Sequence, residues 1–151
     1  MKISEFLDPN LIEIGIKAKD KWELIEHMAN LLAKSGKIGD VKKFHEKLLE
    51  RERTMTTGLG HGMAIPHALC DCVEQIVIAA GTLAEPIDFE SFDFEPIYVI
   101  FSIASPEDRD KRYMHYLSQI ARLFSRPGFA QQLARAKSPQ EFIEIIRQSE
   151  Q

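Results

Sequence analysis

The sequence predicts a layered α/β fold formed by one domain, residues 1–151. Short segments rich in Ile and Val are separated by segments whose apolar residues recur at three- and four-residue intervals. These are the patterns of β-strands and amphipathic helices, and here two or three strands are interleaved with five helices. A chain of this length buries roughly 68–70% of the surface that its unfolded form exposes, so the core needs no disulfide or metal.

A strand over residues 11–16 and a helix after it open the predicted fold. The strand alternates in polarity, and Asp20 then precedes Glu23 by three residues, as in a helix capping box. Gly36 ends the helix. Its predicted buried stripe is Trp22, Ile25, Met28 and Leu32.

A second helix is predicted from an N-cap at Asp40 to about Arg53, with Val41, Phe44 and Leu48 on one face. Arg51 lies seven residues after Phe44 and so shares this inward face, where a charge is unusual. Two interpretations stay open for it. The side chain either extends to the last carbonyl groups of the helix or serves a site at the loop that follows.

A glycine-rich loop, residues 56–62, follows the second helix. Its spacing matches neither GxGxxG nor GxxxxGK[ST], which argues against a nucleotide-binding loop. Alternating glycines let the backbone approach a bound group and leave amide N–H groups to point at an anion. A flexible connector is the alternative interpretation.

His67 is the strongest candidate for chemistry. Ile65 precedes Pro66 and is therefore biased toward extended backbone angles. No helix can then continue through His67, and we expect this residue to lie in irregular, constrained chain. An imidazole with a pKa near 6.5 is largely neutral in the cell and offers one nucleophilic nitrogen. Many histidines have no catalytic role, so the residues that lie beside His67 in the fold must decide whether it is a nucleophile.

Residues 73–83 and 96–104 are predicted strands, joined by the acidic segment 88–95. Near the end of the chain, Pro127 begins a short helix and Ser138 is the predicted N-cap of the last one. The inward face of that last helix is Phe142, Ile145 and Ile146.

Between these parts, Ser105 and Pro106 supply an N-cap and a first-turn proline for a helix that runs to about Ser125. We expect His115 to project from a flank of this helix, available to a site. The predicted core stripe of the helix is Met114, Leu117, Ala121 and Phe124.

Composition excludes several classes of function. A net charge of −4 and a pI near 5.7 argue against binding of nucleic acid, which needs clustered Lys and Arg. No apolar run approaches the ~20 residues of a membrane helix, and the first residues do not resemble a secretory signal, so we expect a cytoplasmic protein. Cys70 and Cys72 are one residue apart, too close for an ordinary bridge, and we expect reduced thiols.

A metal site is the alternative from another class of protein. His61, His67, Cys70 and Cys72 lie close in the sequence and are ligand types that zinc accepts. The one-residue spacing of the cysteines departs from the usual C-x₂₋₄-C pattern, which makes this the weaker hypothesis.

Three groups of residues together resemble the fructose/mannitol-type enzyme IIA domain of the bacterial phosphoenolpyruvate-dependent phosphotransferase system. They are Arg51-Glu52 at the end of a helix, residues 57–67 ending in Ala-Ile-Pro-His, and His115 followed by Leu117 and residues 121–124. The similarity covers nearly the whole chain. It implies an α/β fold with a mixed sheet of about five strands, flanked by helices on both faces. The missing strands would then lie in the acidic connector or in residues 62–68.

The resemblance also implies a function. His67 would accept a phosphoryl group from the phosphocarrier HPr or its nitrogen-branch counterpart, forming a phosphohistidine without metal or cofactor. His115 would lie beside His67, and Arg51 would help to hold the phosphoryl group. Amides of the loop would assist as phosphate-binding groups, from Thr57, Gly58, Gly60, His61 and Gly62.

Two roles remain open for such a phosphotransferase component. It would pass the phosphoryl group to a IIB protein in sugar transport, or regulate partners according to its phosphorylation state. Residues 86–89, with Phe92, Asp93 and Pro96, resemble the nitrogen-regulatory branch, and we favour that branch.

Overall fold

A mixed β-sheet with helices on both faces forms the fold in a computed structural model, which describes residues 2–107 and 111–150. The strands are β1 (Ile12–Ile16), β2 (Gly58–Gly60), β3 (Met63–Ala64), β4 (His67–Leu69), β5 (Val77–Ile87) and β6 (Ile97–Ser105). The helices are α1 (Ile3–Phe6), α2 (Lys21–Ala33), α3 (Val41–Thr54), α4 (Arg112–Phe124), α5 (Phe129–Leu133) and α6 (Pro139–Ser149), and a 3₁₀ turn spans Pro9–Leu11.

The sheet is built around β6. Its order is β1-β5-β6-β3-β2, and β4 also pairs with β6, beyond the end of β3. The β5–β6 and β2–β3 pairs are antiparallel, and the others are parallel. The predicted mixed sheet with helices on both faces is confirmed. Of the three short strands that were not predicted one by one, β3 and β4 fall at residues 62–68, one of the two places expected, and β2 falls in the segment predicted as a loop.

The two faces of the sheet bury separate apolar layers. In β6, Val99, Phe101 and Ile103 pack toward α4, α5 and α6, whereas Ile100 and Ala104 pack toward α2 and α3. This follows from the period of two in a strand, because alternate side chains point to opposite faces. A sheet buried on both sides explains why β6 reads as a nearly continuous apolar run.

Two helical stripes differ from those predicted. In α2, Trp22 is 40% exposed, and the buried side chains include Leu24, Ile25, Met28 and Leu32. Ser105 belongs to β6 and is not the N-cap of α4, which begins at Arg112. The buried residues of α4 are Tyr116, Ile120, Leu123 and Phe124.

Met114 of α4, predicted to be buried, is 62% exposed. The apolar spacing of this helix also fits the observed buried side, so the predicted stripe through Met114 and Ala121 lies too far around the helix. The observed side packs against β6 and α5, where Phe124 contacts Phe101 and Phe129.

The glycine-rich segment is a β-hairpin rather than an open loop. β2 and β3 pair with each other, and β3 pairs with β6. Gly58 and Gly62 are needed for packing, since a Cβ atom at Gly58 would lie 2.4 Å from Ser91 Oγ and one at Gly62 would lie 2.9 Å from Ala130 Cβ. His67, expected in irregular chain, is the first residue of β4.

Cys70 and Cys72 form a disulfide, so the prediction of two reduced thiols is wrong. The N–H of Val73 donates to the carbonyl of Cys70 at 3.1 Å, closing a turn across Asp71. That turn brings the two Cα atoms to 5.1 Å, within the range that disulfides span. Both sulfurs are used in this bond, and no group of three or more metal-ligating side chains occurs within residues 2–107 and 111–150.

A buried ion pair joins α2 to α3. Lys21 and Glu52 are 4% and 3% exposed, with Lys21 Nζ 3.0 Å from Glu52 Oε2. The other lone pairs of Glu52 accept hydrogen bonds from the N–H and hydroxyl of Thr57, both at 2.7 Å. This network fixes the end of α3 against the start of the hairpin.

None of the described helices has the length and apolar content to cross a bilayer.

Lys21→Met tests the buried pair. The substitution removes the cation but leaves the Glu52 carboxylate buried, so we expect the free energy of unfolding to fall by about 3–5 kcal/mol in urea denaturation. Arg147→Ala is the control, because it breaks an exposed pair with Glu144 and should cost less than about 1 kcal/mol. Equal, small losses in both variants would show that the buried pair does not stabilise this junction.

Candidate functional site

The backbone around His67 is held from both sides. The N–H of Ile65 donates to the carbonyl of Thr57 at 3.1 Å. The carbonyl of Pro66 accepts from the hydroxyl of Ser102 at 2.8 Å and from the N–H of Ile103 at 3.2 Å. Pro66 itself fixes its φ angle, so His67 enters β4 from a segment with little freedom.

A hydrogen bond sets the tautomer of His67. Its Nδ1 lies 2.7 Å from the carbonyl oxygen of Ile65. A carbonyl can only accept, so Nδ1 carries the proton and donates it, and Nε2 keeps the lone pair of the neutral ring. The nucleophilic atom of His67 is therefore Nε2.

The surroundings of His67 also keep the ring neutral. Burial lowers its pKa below the ordinary value of 6.5, and the positive charge of Arg51 lowers it further. The hydrogen bond to Ile65 and the negative charge of Glu52 oppose this shift without reversing it. At neutral pH, most molecules therefore have a free lone pair on Nε2.

His67 opens into a cavity of about 320 Å³ between α3, β4 and the start of α4. A larger cavity of about 550 Å³ lies between the start of α2 and the end of β5, and His67 does not line it. The lining of the His67 cavity is Lys47, Glu50, Arg51 and Thr54 of α3, His67, Ala68 and Leu69 of β4, and Tyr113 of α4.

Arg51 combines the two interpretations that its sequence position left open. Its Nη1 donates to the carbonyl of Met55 at 2.8 Å, just past the end of α3, where the helix dipole is negative. It also lines the cavity, and its charge acts on both His67 and Tyr113. The guanidinium therefore places positive charge beside His67 while one of its N–H groups is anchored.

Tyr113, which sequence reasoning missed, is the α4 residue beside His67. The two ring centroids are 5.7 Å apart, with the rings tilted by 60°. His115 is exposed, does not line the cavity, and lies about 200° around the helix from Tyr113. The rotation of α4 explains this arrangement, since Tyr113 precedes the buried Tyr116 by three residues and shares its side.

Three of the five loop residues predicted to bind phosphate use their amides in internal hydrogen bonds. The amide of Thr57 donates to Glu52, that of Gly58 to Thr56 Oγ1, and that of His61 to Asp93 Oδ2. Neither these three residues nor Gly60 and Gly62 line the cavity at His67. The geometry therefore assigns the hairpin to the support of the site rather than to its surface.

Comparison with known proteins identifies the family and agrees with the fold. The family model for the phosphoenolpyruvate-dependent sugar phosphotransferase system, EIIA 2, matches residues 5–149. The fructose-specific EIIABC component of Bacillus subtilis is 36% identical over 148 residues. That alignment covers 98% of this chain but only 23% of the relative, so the chain spans about a quarter of that protein's length.

Two solved structures share the fold. The nitrogen regulatory protein IIA-Ntr of Neisseria meningitidis is 30% identical with a TM-score of 0.87, covering 95% of this chain and 98% of that one. The mannitol enzyme IIA of Escherichia coli, solved in complex with phosphorylated enzyme IIB, is 21% identical with a TM-score of 0.81, covering 94% and 97%. The chain belongs to the EIIA 2 family of the sugar phosphotransferase system, whose members are phosphoryl carriers with a phosphohistidine intermediate.

Proposed function

We propose that this chain accepts a phosphoryl group on Nε2 of His67 from an HPr-type phosphocarrier protein and passes it to a IIB protein. The observation that carries the proposal is the hydrogen bond from Nδ1 of His67 to the carbonyl of Ile65. This bond uses Nδ1, so Nε2 keeps a lone pair and points away from the backbone at Ile65.

The transfer step needs no proton at the reacting atom. The lone pair of Nε2 attacks the phosphorus of the donor's phosphohistidine in line with the leaving nitrogen. A new N–P bond forms, the donor's N–P bond breaks, and its electron pair returns to the donor imidazole. The His67 ring gains positive character, which Nδ1–H shares with the Ile65 carbonyl.

Positive charge in the cavity supports the same step. The phosphoryl group spreads negative charge over its three equatorial oxygens in the transition state. The guanidinium of Arg51 lines the cavity and is anchored through Met55, so it stabilises that charge without first being ordered. Lys47 adds a second cation, partly balanced by Glu50.

The IIB acceptor is supported by the two relatives whose names include that component, the EIIABC protein and the IIA–IIB complex. With a donor and acceptor of this kind, we expect the carrier to act in the cytoplasm. The second candidate function is phosphorylation-dependent regulation, favoured by the likeness to IIA-Ntr over 98% of that chain.

A chase experiment distinguishes these two functions. The chain is phosphorylated with ³²P-labelled phospho-HPr, repurified, and mixed with candidate IIB proteins. Loss of label to a IIB within seconds to minutes supports transport, and a phosphorylated form that stays labelled with every IIB supports regulation.

His67→Ala is predicted to abolish labelling by ³²P-phospho-HPr. The substitution removes the only nucleophile in the proposed step, so no acid-labile phosphate should remain on the protein. His27→Ala is the matched control, because His27 pairs with Glu13 away from the cavity, and we expect it to label fully. Full labelling of the His67 variant would contradict the assignment.

Arg51→Ala is predicted to slow phosphoryl transfer by roughly 10²-fold, the usual cost of removing one preorganised donor to a developing charge. Stopped-flow or rapid-quench transfer from phospho-HPr measures the rate. Arg53→Ala removes an exposed arginine two residues away on the same helix and should leave the rate unchanged. Equal rates for all three proteins would remove Arg51 from the site.

A further inference from the structure

We propose that the hydroxyl of Tyr113 donates a hydrogen bond to the phosphoryl group on His67, so that Tyr113 is a catalytic residue of this carrier. The inference rests on the proposed function and adds a residue to the same site. It departs from the family resemblance, which implies a second histidine beside the first.

The position of Tyr113 is the first argument. Among the described residues, it is the part of α4 that lines the cavity, and its ring stands edge-on to that of His67. The ring centroids are 5.7 Å apart, so the two side chains are direct neighbours on the wall of the cavity that a phosphoryl group on Nε2 would enter. The ring is half-buried, which restricts its orientation.

The charges around the hydroxyl are the second argument. The charged and titratable groups that line the cavity with Tyr113 are Lys47, Glu50 and Arg51 from α3 and His67 from β4. The positive charge of Arg51 acts on the Tyr113 hydroxyl as well as on the His67 ring, so both groups lie in one electrostatic field. An anion bound at His67 is therefore within the reach of a fixed cation and a neutral donor.

The protonation state of the phenol is the third argument. Burial raises the pKa of Tyr113 to about 12, although Arg51 opposes the shift. The phenol thus remains a neutral O–H donor throughout the physiological range. A histidine in its place would change charge between pH 5 and 8 and would offer a second nitrogen nucleophile. Tyrosine gives this site a donor that does not titrate there and does not compete for the phosphoryl group.

Tyr113→Phe is the direct test. The variant keeps the ring and its packing and loses only the hydroxyl, so the unfolding midpoint should not change. We expect transfer from phospho-HPr to His67 to slow about 10- to 100-fold, the loss of one hydrogen bond to a charged group. Tyr98→Phe makes the same change to a half-buried tyrosine outside the cavity and should transfer at the wild-type rate.

Tyr113→His tests the hydrogen bond through the pH dependence of the transfer rate, which would not change if Tyr113 served only in packing. An imidazole restores a donor, and the rate of transfer by this variant should fall as the pH rises through the range of about 5 to 8 in which histidine loses its charge. The wild-type rate should be flat from about pH 7 to 9, because His67 is already neutral there and Tyr113 remains protonated.

The outcomes separate this inference from the function on which it rests. Wild-type protein that labels on His67, together with a Tyr113→Phe variant that transfers at the wild-type rate, would overturn the role of Tyr113 alone. Wild-type protein that phospho-HPr cannot label would overturn the proposed function first. Phosphoramidate, a small donor that needs no docking, should reproduce the defect of Tyr113→Phe, and equal rates with it would contradict direct contact with the phosphoryl group.

Discussion

The hydrogen bond from Nδ1 of His67 to the carbonyl of Ile65 is the constraint on which the site depends. It decides which nitrogen is nucleophilic, and it requires a backbone that cannot move. Thr57, Ser102 and Ile103 hold that backbone through three hydrogen bonds from different strands or their ends. The short strands β3 and β4 hold the Ile65-Pro66 link against β6, so the reacting residue, His67 of β4, is paired with the most buried strand of the sheet.

The end of α3 links this site to the stability of the fold. Adjacent residues of a helix point about 100° apart, so Arg51 and Glu52 lie on different sides of α3. Arg51 extends into the cavity, whereas Glu52 is buried in its pair with Lys21 and holds Thr57. Thr57 in turn accepts from the amide of Ile65 through its carbonyl. A rigid charge network thus supports the carbonyl that orients His67, although Lys21 and Glu52 do not line the cavity.

From local spacing, sequence reasoning predicted the α/β layers and the N-caps of α2, α3 and α6, and the family resemblance added the mixed sheet. It failed where residues far apart decide the outcome. Which residue of α4 meets His67 depends on how the helix packs, and Tyr113 lies where His115 was expected. The side chains of Glu52 and Asp93 accept from loop amides that were expected to bind phosphate, and the turn across Asp71 brought Cys70 to Cys72.

The tautomer of His67 connects structure to chemistry, and nitrogen NMR of the ring tests it most directly. In ¹⁵N-labelled protein at neutral pH, Nδ1 should show the chemical shift of a protonated nitrogen and Nε2 that of an unprotonated one. After phosphorylation by phospho-HPr, the coupling to ³¹P should appear on Nε2. A proton on Nε2 in the free protein, or phosphorus coupled to Nδ1, would contradict the account.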